Sequence, residues 1–200
     1  MSEPQPSGAA LGEEFFARPV GQVVEDLLGC RLVVGGSGGR IVEVERYQQD
    51  DPASHSFRGP RGRAAVMFGP PGRLYVYRSY GIHWCVNLVC EPEGRGAAVL
   101  LRAVQPLWGL GRMRERRGRD GARELCSGPG KLAQALGLHG EHDGEPAATG
   151  GPLQVYPRAG GVDVVRGPRV GISQAVEQPW RLGERGSPFL SRPFPSAVAA

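Results

Sequence analysis

Apolar positions change their period several times along this chain, and each change predicts an element. Val20, Val23, Val24, Leu27 and Leu28 recur at helical spacing after Pro19, and Gly29 supplies a stop, so a short core helix is expected there. A strand over residues 31–34 and a glycine-rich turn over 35–39 lead into RIVEVERY at 40–47, which alternates with period two. In that segment Glu43, Glu45 and Tyr47 share one side, and Val42 and Val44 the other. Residues 50–56 read as a turn with helix-start character, and 64–68 as a short strand closed by GPPG. Residues 74–90, LYVYRSYGIHWCVNLVC, are two β-branched and aromatic runs folded on a turn at Ser79-Tyr80-Gly81-Ile82. A buried strand is expected over 97–104 and a helix over 107–117, with Leu107, Leu110 and Met113 inward. Another helix follows at 132–136, ended by Gly137. Residues 139–151 are polar and read as an exposed loop. Short strands at 153–156, 162–165 and 170–172 then precede a loop-rich stretch from 180 to 194.

Several positions break these patterns. Tyr80 sits at a hairpin tip, where small polar residues are the rule. Two readings stand: the ring enters an apolar surface such as a base stack, or it packs under a neighbouring loop. Asn87, inside an apolar strand, needs partners from the protein or from a ligand. Arg102 interrupts the run AAVLLRAV, and a buried guanidinium must meet a carboxylate, for which Glu45 is a candidate. Glu43 and Glu45 lie roughly 7 Å apart along a strand. They suit acid/base chemistry on a glycosidic bond, or else form a charged strand edge that discourages aggregation. Tyr47 on the same face adds a stacking surface.

Charge and composition narrow the picture. The net charge is +4 and the pI about 9.1, which permits a polyanionic partner without requiring one. All but one of the 24 basic residues are Arg, and Lys131 is the single lysine, so Schiff-base chemistry has almost no amine available. Arg112, Arg114, Arg116, Arg117, Arg119 and Arg123 form the densest basic run, a solvated face or a set of phosphate contacts. Ser127-Gly128-Pro129-Gly130-Lys131 opens a helix with free backbone N–H groups, a plausible anion site. It is not a Walker A loop, because Leu125 and Leu132 stand where that pattern needs Gly and Ser or Thr. Four cysteines lack CxxC spacing, which argues against zinc or a disulfide framework and for a reducing cytoplasm. There is no long apolar run and no signal-peptide pattern. Residues 1–13 read as a disordered tail and 14–200 as one domain.

Matching runs in order are RIVEVERY at 40–47, HS at 55–56, MFGPPGRLYVYRSYGIHWCVN at 67–87, VLLRAVQP at 99–106, ELCSGPGKLAQALGL at 124–138 and RGSPFLS at 185–191. With them the chain resembles the alkyladenine (3-methyladenine) DNA glycosylase family of the mammalian type. The resemblance implies a single compact α+β domain with a curved, mainly antiparallel sheet, flanking helices and a protruding hairpin. It implies a monomeric repair enzyme of the bacterial cytoplasm and nucleoid, acting on damaged purines in double-stranded DNA without metal or cofactor. By position, Glu45 corresponds to the general base and Arg102 to the water-positioning arginine. Tyr47, His55 and Tyr77 correspond to the rings around a flipped base, Asn87 to the amide that rejects guanine, and Tyr80 to the intercalating residue. Ser127, Gly128, Gly130 and Lys131, with Arg185, Gly186 and Ser187, correspond to phosphate contacts. Arg46 departs from the usual Ala, and the loop 57–65 is unusually rich in Arg and Gly, which bears on the pocket rim. The competing readings are a non-catalytic nucleic-acid-binding module on the same fold and a carbohydrate glycosidase using Glu43 and Glu45.

Overall fold

The computed structural model of the protein describes residues 5–195. Residues 1–4 of the expected tail and residues 196–200 lie outside them. The architecture is a curled antiparallel sheet with helices packed on one face. Its strands are β1 (Arg31–Val34), β2 (Ser37–Tyr47), β3 (Leu74–Ser79), β4 (His83–Val89), β5 (Ala98–Trp108), β6 (Gln154–Tyr156), β7 (Val164–Gly167) and β8 (Arg181–Glu184). They run in the order β3-β4-β5-β2-β1-β6, with β8 joining β2 to β7. The helices are α1 (Glu13–Phe16), α2 (Val20–Leu27), α3 (Leu110–Arg117), α4 (Ala122–Cys126) and α5 (Pro129–Leu136).

Side-chain alternation divides the sheet into two faces. Leu74 and Val76 of β3, Val86 and Leu88 of β4, and Val99 and Leu101 of β5 join the main core. There they meet α2 through Val20, Val23, Val24 and Leu27, and α5 through Leu132, Ala133, Ala135 and Leu136. The opposite face carries Tyr75, with Met67, Phe68, Val89 and Ala98 in a second cluster against which Tyr77 packs. One face is thus ordinary apolar packing, and the other supplies the walls of a cavity.

β2 is the strand on which the rest is assembled. β5 pairs along its length on one side. On the other, β1 covers residues 37–40 and β8 covers 43–45. The partner changes where the register shifts around Val42, and the irregularity places Ile41 and Val44, three apart, both in the core. Local bulges of this kind bend a strand and re-aim its side chains.

Several sequence expectations are corrected. The turn before β2 contains only Gly35 and Gly36, because Ser37, Gly38 and Gly39 are already paired. A Cβ at Gly38 would lie 2.1 Å from the Leu32 carbonyl oxygen, and one at Gly39 1.9 Å from that of Gln105, so glycine permits this close strand approach. Residues 62–68 form a 3-10 helix, not a strand, which buries Ala64, Met67 and Phe68. β5 continues through Leu107 to Trp108, and the helix after it starts only at Leu110, past Gly109 in the left-handed region. α5 begins three residues before the expected Leu132, with Pro129 at its first position. Residues 143–146 do not hang free but cover the outer edge of β3. Val76 N donates to Asp143 Oδ1 at 2.8 Å and Leu74 N to the Glu145 carbonyl at 2.8 Å. Finally, residues 170–172 are not a strand, whereas Arg181–Glu184, expected as loop, is β8.

Gly39→Ala should force β2 and β5 apart and destabilise the fold by about 3 kcal/mol or more. Urea denaturation checks this, and Gly35→Ala, with open space around its added methyl, serves as the milder control.

Candidate active site

A cavity of about 1140 Å³ opens on the face of the sheet away from the helical core. Its walls include Tyr47, His55, Tyr75, Tyr77, Asn87 and Arg102, and its rim includes Tyr80. Five of the six separated runs identified in the sequence therefore contribute to one space, and RGSPFLS at 185–191 does not.

The hairpin supplies the aromatic wall. Tyr75 and Tyr77, two apart on β3, stack with centroids 5.3 Å apart and planes 26° apart. His55, in the 3-10 helix His55–Arg58 capped by Ser54, sets its ring edge-on to Tyr77 at 4.6 Å. Its Nδ1 is 2.8 Å from the Tyr75 hydroxyl. Burial and the nearby Arg63 charge lower its pKa, so the ring is neutral at neutral pH. Asn87 is buried and donates from Nδ2 to the Tyr75 carbonyl at 3.0 Å, which fixes the orientation of its amide.

At the tip, Tyr80 and Gly81 both have positive φ, 51° and 69°, and Ile82 N donates to the Ser79 carbonyl at 3.0 Å. That is the geometry of a primed hairpin turn, with a tyrosine where Asn or Asp is usual. Tyr80 is 84 % exposed, so it does not pack under a neighbouring loop.

Behind the cavity lies a buried charge cluster. Glu43 and Glu45 are both inaccessible to solvent. Arg102 donates from Nε to Glu43 at 3.1 Å and sets Nη1 3.3 Å from Glu45 Oε2, meeting both carboxylates, not Glu45 alone. Glu43 also accepts from Arg181 Nε at 2.7 Å and from the Ser191 hydroxyl at 2.7 Å, as well as from the Ser191 backbone N–H. Glu45 accepts from Val170 N at 2.8 Å and from the Tyr47 hydroxyl at 2.9 Å. Glu45 does not itself line the cavity; Tyr47, Arg102 and Val170, its three partners, do.

A guanidinium beside a carboxylate ordinarily holds its pKa down. Arg102 acts in that direction, as do Val170 and Tyr47, but burial outweighs them and the pKa is raised. The phenol of Tyr47, buried and facing the Glu45 charge, is likewise pushed well above its ordinary pKa. It therefore stays a proton donor to the carboxylate.

Several contributors escaped sequence reasoning. Arg169 makes a bidentate pair with Asp51, both wholly inaccessible, and its guanidinium lies over Tyr47 at 4.6 Å and Trp180 at 5.0 Å. It also donates to the Arg46 carbonyl at 3.1 Å. This pair fixes the chain just before Val170, whose N–H reaches Glu45. Arg46 turns away from the cavity as its strand position implied, and stacks on Trp180 at 4.3 Å.

The anion-site expectations divide. Gly128, Gly130 and Lys131 line the cavity, while the Ser127 hydroxyl donates to the Arg123 carbonyl at 2.6 Å. Arg185, Gly186 and Ser187 are not brought to the cavity wall; Arg185 pairs with Asp163 at 3.2 Å. Much of the basic run is taken up locally. Arg114 Nε donates to the Asp120 carbonyl at 3.0 Å, Arg116 to that of Ala135 at 3.1 Å, and Arg117 to Gln134 Oε1. Of that run only Arg117 lines the cavity.

All four cysteines are buried free thiols. Among the described residues no helix is long and apolar enough to cross a membrane.

An aromatic cavity with a carboxylate behind its floor is a class of site suited to holding a planar ring near an acidic group. Comparison with known proteins gives that class its identity. The family described as Methylpurine-DNA glycosylase (MPG) matches residues 14–188. A Rhodopseudomonas palustris protein named "Putative 3-methyladenine DNA glycosylase" is 56 % identical over 196 residues, 97 % of each chain. Proteins with the same name from Nitrosospira multiformis and Agrobacterium fabrum are 56 % and 51 % identical, over 97 % and 91 % of this chain and 97 % and 92 % of theirs. The chain belongs to the methylpurine-DNA glycosylase family, hydrolases of DNA repair.

Asp51→Ala would leave Arg169 charged and unpaired inside the protein, at a cost of about 3–5 kcal/mol. The double variant Asp51→Leu/Arg169→Met should recover much of this, and chemical denaturation of the three proteins measures the difference.

Proposed function

We propose that this glycosylase acts as a monomer on duplex DNA, rotates an alkylated or deaminated purine into the cavity, and hydrolyses its bond to the sugar with a water activated by Glu45. Tyr80 then occupies the gap in the base stack. One observation carries the reading: a cavity walled by Tyr75, Tyr77 and His55 has a fully buried carboxylate one side chain behind its floor. The exposed ring at the hairpin tip stands on its rim.

Rotating a base out of the helix costs a few kcal/mol, and a wedge that fills the vacated step offsets part of that. An N3- or N7-alkylated purine is cationic and gains from electron-rich ring faces. In the chemical step the water oxygen bonds to C1′ as the bond from C1′ to the purine nitrogen breaks. The bonding pair leaves with the base, and the water proton passes to Glu45. A cationic base departs neutral, so for it activation of the water by one carboxylate suffices, whereas a neutral base such as hypoxanthine departs as its anion and takes its proton from solvent. Water reaches Glu45 once the Tyr47 phenol rotates off Oε2, and Arg102 remains to orient it. Asn87, its amide fixed by the Tyr75 carbonyl, serves as a steric test on the purine edge. The N-terminus of α5, with Gly128, Gly130 and Lys131, serves the DNA backbone. Lys131 is the only side-chain amine and stands at that helix start, so the reaction is hydrolysis without strand cleavage.

Glu45→Gln tests this directly. Base release from oligonucleotides carrying single lesions, read by hot alkali cleavage at abasic sites, should fall by about 10²–10⁴-fold while lesion-duplex binding persists. Equal activity of the wild type and the variant would end the proposal.

The pH dependence follows from the sign of the Glu45 shift. Glu45 works ionised and its pKa is raised, so kcat/KM should climb with pH through a midpoint above the ordinary glutamate value of about 4.3. Removing the Arg102 charge raises that pKa further. Arg102→Met should therefore move the acidic limb to higher pH, in addition to lowering the plateau.

A further inference from the structure

We propose that Arg63 is a specificity-determining residue of the base pocket, which biases it toward neutral damaged purines at the expense of cationic ones; the inference rests on the base-release reading above. Arg63 lies in the Arg/Gly-rich stretch 57–65, in the first turn of the 3-10 helix over residues 62–68, and lines the cavity. Its guanidinium carbon lies over the Tyr77 ring, 5.1 Å from the centroid, and its Nη2 is 3.4 Å from His55 Nε2. Tyr77 is thus surrounded: Tyr75 stacks on it, His55 meets it edge-on, and Arg63 covers it.

Three consequences follow from that placement. First, a purine that stacks on Tyr77 must share or displace the guanidinium. Arg63 is exposed and its partners there are His55 and Tyr77, not a carboxylate, so the side chain is free to swing aside. Second, the electron-rich face that would reward a cationic base already faces a cation, which reduces the cation–π gain left for the ligand. Third, a cationic purine held a few ångströms from Arg63 meets like charge, whereas hypoxanthine does not. In a partly solvated site that repulsion corresponds to roughly three- to tenfold in relative affinity or rate. The lowered pKa of His55 has Arg63 among its causes, in keeping with a guanidinium charge felt inside the pocket.

The test is a charge series at position 63. Wild type, Arg63→Lys, Arg63→Gln and Arg63→Glu are assayed for kcat/KM on duplexes with a single 7-methylguanine, which is cationic, or a single hypoxanthine, which is neutral. Position 63 is exposed, so all four proteins should fold. The ratio of cationic to neutral activity should rise about three- to tenfold in Arg63→Gln, rise further in Arg63→Glu, and stay within about twofold in Arg63→Lys. Where one lesion is bound but not released, the ratio of duplex affinities carries the same comparison. A ratio unchanged across the series, with both lesions bound or processed, would overturn the role of Arg63 and leave the base-release reading intact. A Lys variant that shifts as far as Gln would assign the effect to shape, not charge, and also overturn it. A wild type that releases neither base would remove the reading underneath and this inference with it.

Discussion

Two carboxylates on one strand, both sealed from water, are the constraint to which the centre of this molecule is fitted. An unpaired buried carboxylate costs several kcal/mol, so Glu43 and Glu45 can stay inside only if the chain delivers donors to them. Arg102 comes from β5 and Arg181 from β8, two guanidiniums for two carboxylates. Ser191 and Val170 supply backbone N–H groups from segments that lie 148 and 125 residues away in sequence. The register shift at Val42 lets β2 exchange β1 for β8 just where Arg181 is needed. The course of the C-terminal third thus follows from the charge of two glutamates near the start of the chain.

What the sequence makes legible is whatever depends on short-range period. The alternation Leu74, Tyr75, Val76, Tyr77 alone puts the two tyrosines on one face and the two aliphatic residues on the other, and in the structure the first face borders the cavity and the second joins the core. The turn was readable because Gly81 next to a positive-φ position has few alternatives. Arg102 was readable as an anomaly, since a charge within AAVLLRAV must have a partner. The rest depended on distant contacts. RLGE at 181–184 shows no alternation and becomes a strand only because β2 and β7 lie on either side of it. Gly38 and Gly39 look like a turn, yet a strand must be bare there because Leu32 and Gln105 press against it. Asp51 read as a turn residue, and nothing nearby announces that its partner is Arg169.

The placement of Arg169 shows how such a distant contact enters the site. Its guanidinium is held by Asp51 and by the Arg46 carbonyl, and its face covers Tyr47. A planar, delocalised cation can do both at once, whereas lysine could not reproduce the fork and the stack together. Tyr47 and Val170, the two neutral donors to Glu45, are therefore positioned by the same side chain. The electrostatic cluster and the aromatic wall form one unit.

That unit also distinguishes the two carboxylates, which the sequence alone could not do. Glu43 is held by two guanidiniums, a hydroxyl and a backbone N–H, with the two guanidiniums and the hydroxyl converging on Oε1 and the N–H on Oε2. Two of its partners, Arg181 and Ser191, are not part of the cavity wall. Glu45 has one guanidinium, shared with Glu43, together with a phenol and a backbone N–H, and each of these partners borders the cavity. The charge balance falls short at Glu45, and burial consequently wins in its pKa. A base must be reachable from the cavity, with a proton affinity lifted toward working pH, and still have partners to stabilise its charged form. Glu45 meets the last two as it stands, and the first under the proposal that the Tyr47 phenol rotates off its Oε2. Glu43, clamped on the far side, serves as the fixed counter-charge that holds Arg102 in place between them.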